Sequence, residues 1–167
     1  MQPVRTAQTN RFSPAREQGP SRLLLVDDQP FFLATTKEIL TAAGFLVQTA
    51  SNGPAALEVA RMHRPDAVLL DVAMPGFDGF ETCRRLRAHP VTSRIPVIFL
   101  TASTDARLTE RAFAVRAQAT LQKGASIDRL RNLLQLLLAS SRAPAQRRAP
   151  RVAAAPDTGA AAHDCAA

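Results

Sequence analysis

Five residues carry the side chains best suited to chemistry: Asp27, Asp28, Asp71, Thr101 and Lys123. Each closes or directly follows a short, largely apolar run, namely RLLLV, AVLL, IPVIFL and the briefer ATLQ before Lys123. Three carboxylates gathered at one edge would repel one another and hold their protons more tightly unless a cation offset them. An oxygen-only set suits a hard ion such as Mg2+, which takes a few carboxylates and keeps several waters. A phosphoryl group arriving at Asp71 would be neutralised by that ion and by Lys123, and the Thr101 hydroxyl would donate a hydrogen bond to it. The set reads as phosphoryl transfer to a carboxylate.

These residues meet only if the runs before them are neighbouring strands. Short apolar runs alternate five times with segments of helical period, strand first in each unit. The strands are expected at 22–26, 45–49, 67–71, 95–100 and 119–122. Helices are expected over 30–43, from 53 to about 62, from Asp78 to just before Pro90, from about Thr104 or Asp105, and after Ser126. Pro30 suits a first helical turn, Ser51 or Asn52 a cap, and Asp78 beside Gly79 another cap. Strands that are apolar throughout imply a parallel sheet covered on both faces. With right-handed crossovers the result is an α/β fold: a doubly wound, five-stranded parallel sheet of flavodoxin-like strand order 2-1-3-4-5 with helices on both faces. In such folds the ligand site lies at the carboxyl ends of the strands, where these five residues fall.

With 167 residues the chain has room for one well-buried core with tails. The expected organisation is a tail over 1–21, one domain over 22–141, and an Ala/Pro/Arg-rich tail over 142–167 that cannot bury a core. The net charge of +7 lies mainly in those tails: 23–141 holds 13 bases and 11 acids. The balance of the folded part argues against a nucleic-acid surface there. No apolar run approaches the ~20 residues of a membrane span, and the first residues lack a signal-peptide core, so a cytoplasmic protein is expected. Cys83 and Cys165 have no disulfide or metal spacing, and Cys83 reads as a small apolar residue. His163 with Cys165 makes only a faint metal pair, and His63 and His89 fit helix ends.

The four stretches VDD, LLDVAMPGFDGF, PVIFLTA and LQKG together resemble the signature of response-regulator receiver domains, over about residues 22–141. The intervals of 30 positions from Asp71 to Thr101 and 22 from Thr101 to Lys123 are similar to those of the family. The resemblance implies that Asp28 and Asp71 contact Mg2+ directly, Asp27 does so through water, and the Ala73 carbonyl adds an oxygen. It implies that Asp71 takes a phosphoryl group from a sensor histidine kinase or phosphotransfer protein, while Thr101 and Lys123 grip its oxygens. Met74, Pro75 and Gly79 would shape the loop after the third strand. Output would pass by protein contact to a downstream target, with a homodimer also open, in a stand-alone receiver that is not an enzyme beyond its own phosphorylation and dephosphorylation.

Around the fifth strand the chain departs from the family, whose members commonly carry Gly, an aromatic and Pro where this chain has Arg116, Thr120 and Gly124. Without Pro, a cis bond after Lys123 would cost about 2.5–4 kcal/mol, so a trans bond is expected. These changes keep a second reading open, a pseudo-receiver that binds partners without phosphorylation. A third, a phosphohydrolase with Asp71 as nucleophile, needs a general acid two residues further on, where Ala73 stands.

Overall fold

The computed structural model describes residues 19–103 and 105–142. Expectations for residues 1–18 and 143–167, His163 and Cys165 among them, and for Thr104 fall outside the described residues. The chain alternates β1 (Arg22–Val26), α1 (Pro30–Ala42), β2 (Leu46–Ala50), α2 (Gly53–His63), β3 (Ala67–Asp71), α3 (Gly79–Ala88), β4 (Val97–Thr101), α4 (Ala106–Ala114), β5 (Ala119–Gln122) and α5 (Ile127–Arg142). All strand pairs are parallel, in the order β2-β1-β3-β4-β5. This is the doubly wound sheet expected from the sequence.

Alternate residues along each strand feed opposite layers. Leu24, Val26, Val68, Leu70, Val97 and Phe99 pack with Ala56, Ala60, Phe80, Cys83, Leu86 and Ala112 of α2, α3 and α4. Leu23, Leu25, Leu69, Ile98 and Leu100 pack with Leu40 of α1 and with Leu130, Leu134 and Leu138 of α5. The central strands β3 and β4 are buried at every position, whereas β2, at the edge, alternates exposed and covered residues. Cys83 is fully buried, donates to the Val115 carbonyl at 3.4 Å, and burial pushes its thiol pKa up. It behaves as a core residue.

Local chemistry sets the element ends. Of the two cap candidates, Asn52 accepts from the Ala55 amide at 2.9 Å; Asp78 caps α3 through Glu81 N at 2.7 Å, and Asp105 caps α4 through Arg107 N at 2.9 Å. Two strand boundaries need correction. β4 begins at Val97 and not at residue 95, because Pro96 has no N–H for the ladder and only its carbonyl is used, accepting from Val68 N at 2.9 Å. β2 begins one residue later than expected, because the Phe45 amide is spent on the Leu40 carbonyl at the end of α1, after Gly44 turns the chain at φ +91.

The chain runs from β1 outward to β2 and then returns to place β3 on the other side of β1. The loops after β1 and β3 therefore diverge, and the crevice between them opens at the carboxyl ends of the strands.

Candidate functional site

At that crevice the three carboxylates predicted from the sequence do converge. Oxygens of Asp27, Asp28 and Asp71 all lie within 4.8 Å of one another. Asp27 directly follows β1, its amide donating to the Ala50 carbonyl of β2 at 3.1 Å, and Asp71 is the last residue of β3. Both are buried, at 0% and 2% exposure, so their charges must be met inside the protein.

Lys123 meets them. Its Nζ lies 2.6 Å from Asp27 Oδ2 and 3.0 Å from Asp71 Oδ2, with the Phe32 ring centroid 4.8 Å away. The lysine is held here because its amide donates to the Thr101 carbonyl at 2.7 Å, which extends the β4 and β5 pairing by one residue. Burial alone would lower the pKa of Lys123; hydrogen bonds to Asp27 and Asp71 outweigh it and raise the pKa. Asp27 moves up as well, because burial exceeds the opposing effect of Lys123 and of the Gln29 amide that donates to Oδ1 at 3.0 Å.

One ammonium cannot balance three carboxylates. Asp28 Oδ1 is buried without a hydrogen-bond partner, and the carbonyl of Ala73, in the loop after β3, accepts no hydrogen bond among the described residues. An orphaned carboxylate oxygen in an all-oxygen cluster of surplus negative charge fits a hard divalent cation. The chemistry of the donor set and the unmet oxygen both agree with Mg2+ at this place.

Thr101 is the residue whose side chain the structure does not join to the cluster. Its hydroxyl accepts from Ser103 N at 2.9 Å and belongs to the turn that follows β4. It lines a cavity of about 180 Å³ between α4 and β5, with Ser103, Leu108, Thr109, Thr120 and Leu121. Thr120, where the family commonly carries an aromatic ring, leaves that space open, and its hydroxyl lies 3.5 Å from that of Thr109.

Sequence reasoning missed several supports. The Phe32 ring beside Lys123 was invisible because two helix turns can present several apolar residues to a sheet. Gly79 approaches β3 so closely that a Cβ there would strike the Asp71 carbonyl, and its amide donates to the Val72 carbonyl at 3.1 Å. Gly53 is closed in by the Phe77 ring and the Thr82 hydroxyl, which ties the loop after β3 to α2. Arg87 donates to the carbonyls of Ser93, Ile95 and Arg116 and to the Gln118 side chain, at 2.7–3.2 Å, and so joins α3 to the entries of β4 and β5. The departures around β5 have a backbone reading. Arg116 occupies the left-handed region at φ 59, where a glycine would be at ease, and Gly124 turns at φ +90 after a trans peptide bond.

The chain's relatives agree with this geometry. The family model described as response regulator receiver domain matches residues 23–135. Response regulator PleD of Caulobacter vibrioides is 46% identical over 82 residues, which are 49% of this chain and 18% of PleD, so the match spans only a small part of that relative. A putative response regulator from Chloroflexus aurantiacus, solved by crystallography, superposes with a TM-score of 0.68 at 34% identity, covering 72% of this chain and 98% of its own. The receiver domain of the sensor histidine kinase PA1611 from Pseudomonas aeruginosa, solved with a magnesium ion coordinated in its active-site cleft, superposes with a TM-score of 0.67 at 28% identity, covering 72% of this chain and 98% of its own. No helix among the described residues is long and apolar enough to cross a membrane. With the acidic crevice, the lysine that spans it and a family match over most of the described residues, this chain belongs to the response regulator receiver domains.

Proposed function

We propose that the chain is a phosphorylation switch in which Asp71 accepts a phosphoryl group from a histidine kinase or phosphotransfer protein. The observation that carries this reading is the position of Asp71: last in a fully buried strand, one oxygen held by Lys123 at 3.0 Å, the other without a hydrogen bond among the described residues. That second oxygen, Oδ1, is the nucleophile. It attacks the phosphorus of a phosphoimidazole, the P–N bond breaks, the imidazole leaves and takes up a proton, and an acyl phosphate remains on Asp71. Lys123, already at the carboxylate, offers its ammonium to the phosphoryl oxygens. Asp28 and Asp71 would hold Mg2+, with Asp27 through water and the Ala73 carbonyl as a further oxygen. The ion supplies charge neutralisation at the phosphoryl group.

Thr101 would take part through its O–H, whose present acceptor is the Ser103 carbonyl at 3.5 Å. That O–H would turn toward the new phosphoryl oxygens, and the hydroxyl-lined cavity beside it gives room for the turn. The output passes by contact with another protein surface. Hydrolysis of an external phosphate ester through Asp71 is not favoured, because Ala73 offers no proton to the leaving alcohol where a hydrolase needs a general acid.

Intact-mass spectrometry after incubation with acetyl phosphate and Mg2+ tests this. The parent protein should gain one phosphate and the Asp71→Asn variant none. A parent that stays unlabelled under conditions that label another receiver domain contradicts it and leaves a binding module without phosphorylation.

A further inference from the structure

The charge of the folded part is segregated. Residues 78–116, which run from the cap of α3 through the turn after α4, hold seven arginines and four acids, whereas the rest of 23–141 holds six bases and seven acids. The two helices adjoin: Cys83 donates to the Val115 carbonyl, and Arg87 to the Arg116 carbonyl at 3.0 Å. Glu81 is already taken by Arg84 at 2.7 Å and Arg85 at 2.8 Å. Arg94, Arg107, Arg111 and Arg116 are exposed and pair with no carboxylate among the described residues.

The placement of these arginines is ordered. Arg107 and Arg111 stand one turn apart on α4, on the same side of the helix. The guanidinium of Arg111 lies 4.1 Å from the centroid of the Phe80 ring of α3, which fixes its position without neutralising its charge. At the other end of α4, Arg116 sits at φ 59, and its carbonyl is clamped by Arg87, so the turn that carries its side chain is held too. A guanidinium held in advance, as that of Arg111 is by the Phe80 ring, loses little freedom on binding and matches a carboxylate in a bidentate fork.

We infer that the α3 and α4 face is a docking surface for an acidic protein segment, with Arg107 and Arg111 as its principal contacts and, beyond them, Arg116 and Arg94, which are brought near each other where Arg87 binds the carbonyls of Ser93, Ile95 and Arg116. A polypeptide is favoured over nucleic acid because Glu110, exposed and without a salt bridge among the described residues, lies on α4 between Arg107 and Arg111 in sequence. It would repel a uniform phosphate chain, while a protein segment can place a basic side chain opposite it.

The test uses the full-length chain and fluorescence anisotropy with two labelled probes: a glutamate-rich helical peptide containing scattered lysines, and a single-stranded oligonucleotide of equal net charge. The peptide should bind, and binding should weaken with added salt. The Arg107→Gln/Arg111→Gln variant should raise its dissociation constant about tenfold, the result of losing two exposed charge contacts. The Lys37→Gln/Arg61→Gln variant removes the same charge from α1 and α2 and should change it less than about twofold. Equal weakening by the two variants would reduce the effect to net charge and overturn the inference. So would a parent that does not bind the peptide, or one that binds the oligonucleotide more tightly through Arg107 and Arg111.

Discussion

Replacing Lys123 by Met keeps much of the side chain's volume and removes the only ammonium within reach of Asp27 and Asp71 among the described residues. Two carboxylates at 0% and 2% exposure then face each other without it. Removing one partner of a buried ion pair costs about 3–5 kcal/mol. The protein can limit the loss by taking up a proton, and Asp27, whose pKa burial already pushes upward, is the group placed to do so. Protonating an ordinary carboxylate costs about 4 kcal/mol at pH 7 and about 1.5 kcal/mol at pH 5, at 1.36 kcal/mol per pH unit. In metal-free buffer the variant should therefore lose up to about 4 kcal/mol at pH 7 and clearly less at pH 5. Urea unfolding at the two pH values, with a chelator present, measures this. Adding Asp27→Asn should recover most of the loss, since the amide leaves one buried carboxylate fewer. The sign for Lys123 itself follows from its raised pKa: its contribution is complete below the unfolded pKa of 10.5 and fades as pH rises through the folded value. A Lys123→Met variant within about 1 kcal/mol of the parent at pH 7, equally so at pH 5, would refute this electrostatic picture of the crevice.

Other substitutions follow from backbone and packing. Arg116→Gly should stabilise the fold by about 1 kcal/mol, because glycine relieves the left-handed conformation at φ 59 while the carbonyl that receives Arg87 is retained; a lower melting temperature would contradict it. Gly79→Ala forces a methyl group against the Asp71 carbonyl and should cost about 2 kcal/mol or more and slow labelling by acetyl phosphate, as read by thermal unfolding and mass spectrometry. Arg87→Met strands the carbonyls of Ser93, Ile95 and Arg116 and should cost about 2–3 kcal/mol, with hydrogen exchange fastest in residues 93–97 and 116–118.

The architecture was legible wherever burial on both faces left a continuous apolar run. RLLLV and AVLLD are such runs and became β1 and β3 as expected. The apolar run IPVIFL predicts a strand from residue 95, two residues before β4 begins, because apolarity does not distinguish a ladder residue from a buried one outside the ladder, and both Ile95 and Pro96 are buried. The choice between Ser51 and Asn52 as cap depended on a dihedral angle and one hydrogen bond, not on residue type, since either suits the role.

The candidate site was legible in its membership and not in its couplings. That Asp27, Asp28, Asp71 and Lys123 meet follows from their place at strand ends. That Lys123 bridges Asp27 as well as Asp71, beside the Phe32 ring, depends on side-chain rotamers that no spacing encodes. The Thr101 hydroxyl shows the same limit: its strand position puts it near the crevice, but the turn after β4 offers the Ser103 amide, and a local hydrogen bond takes the oxygen. Arg87 and Gln118 lie 31 positions apart, and their hydrogen bond exists only because α3 and β5 meet around the start of β4.

The central assignment is Asp71 as the acceptor, and chemical mapping tests it directly. After phosphorylation with acetyl phosphate and Mg2+, borohydride reduction converts an acyl phosphate on aspartate to homoserine, which peptide mass spectrometry locates to a residue. Homoserine at position 71, and at no other aspartate, is the expected outcome. Homoserine at Asp27 or Asp28, or a stable phosphate on Thr101 or Ser103 that borohydride leaves unchanged, would contradict it.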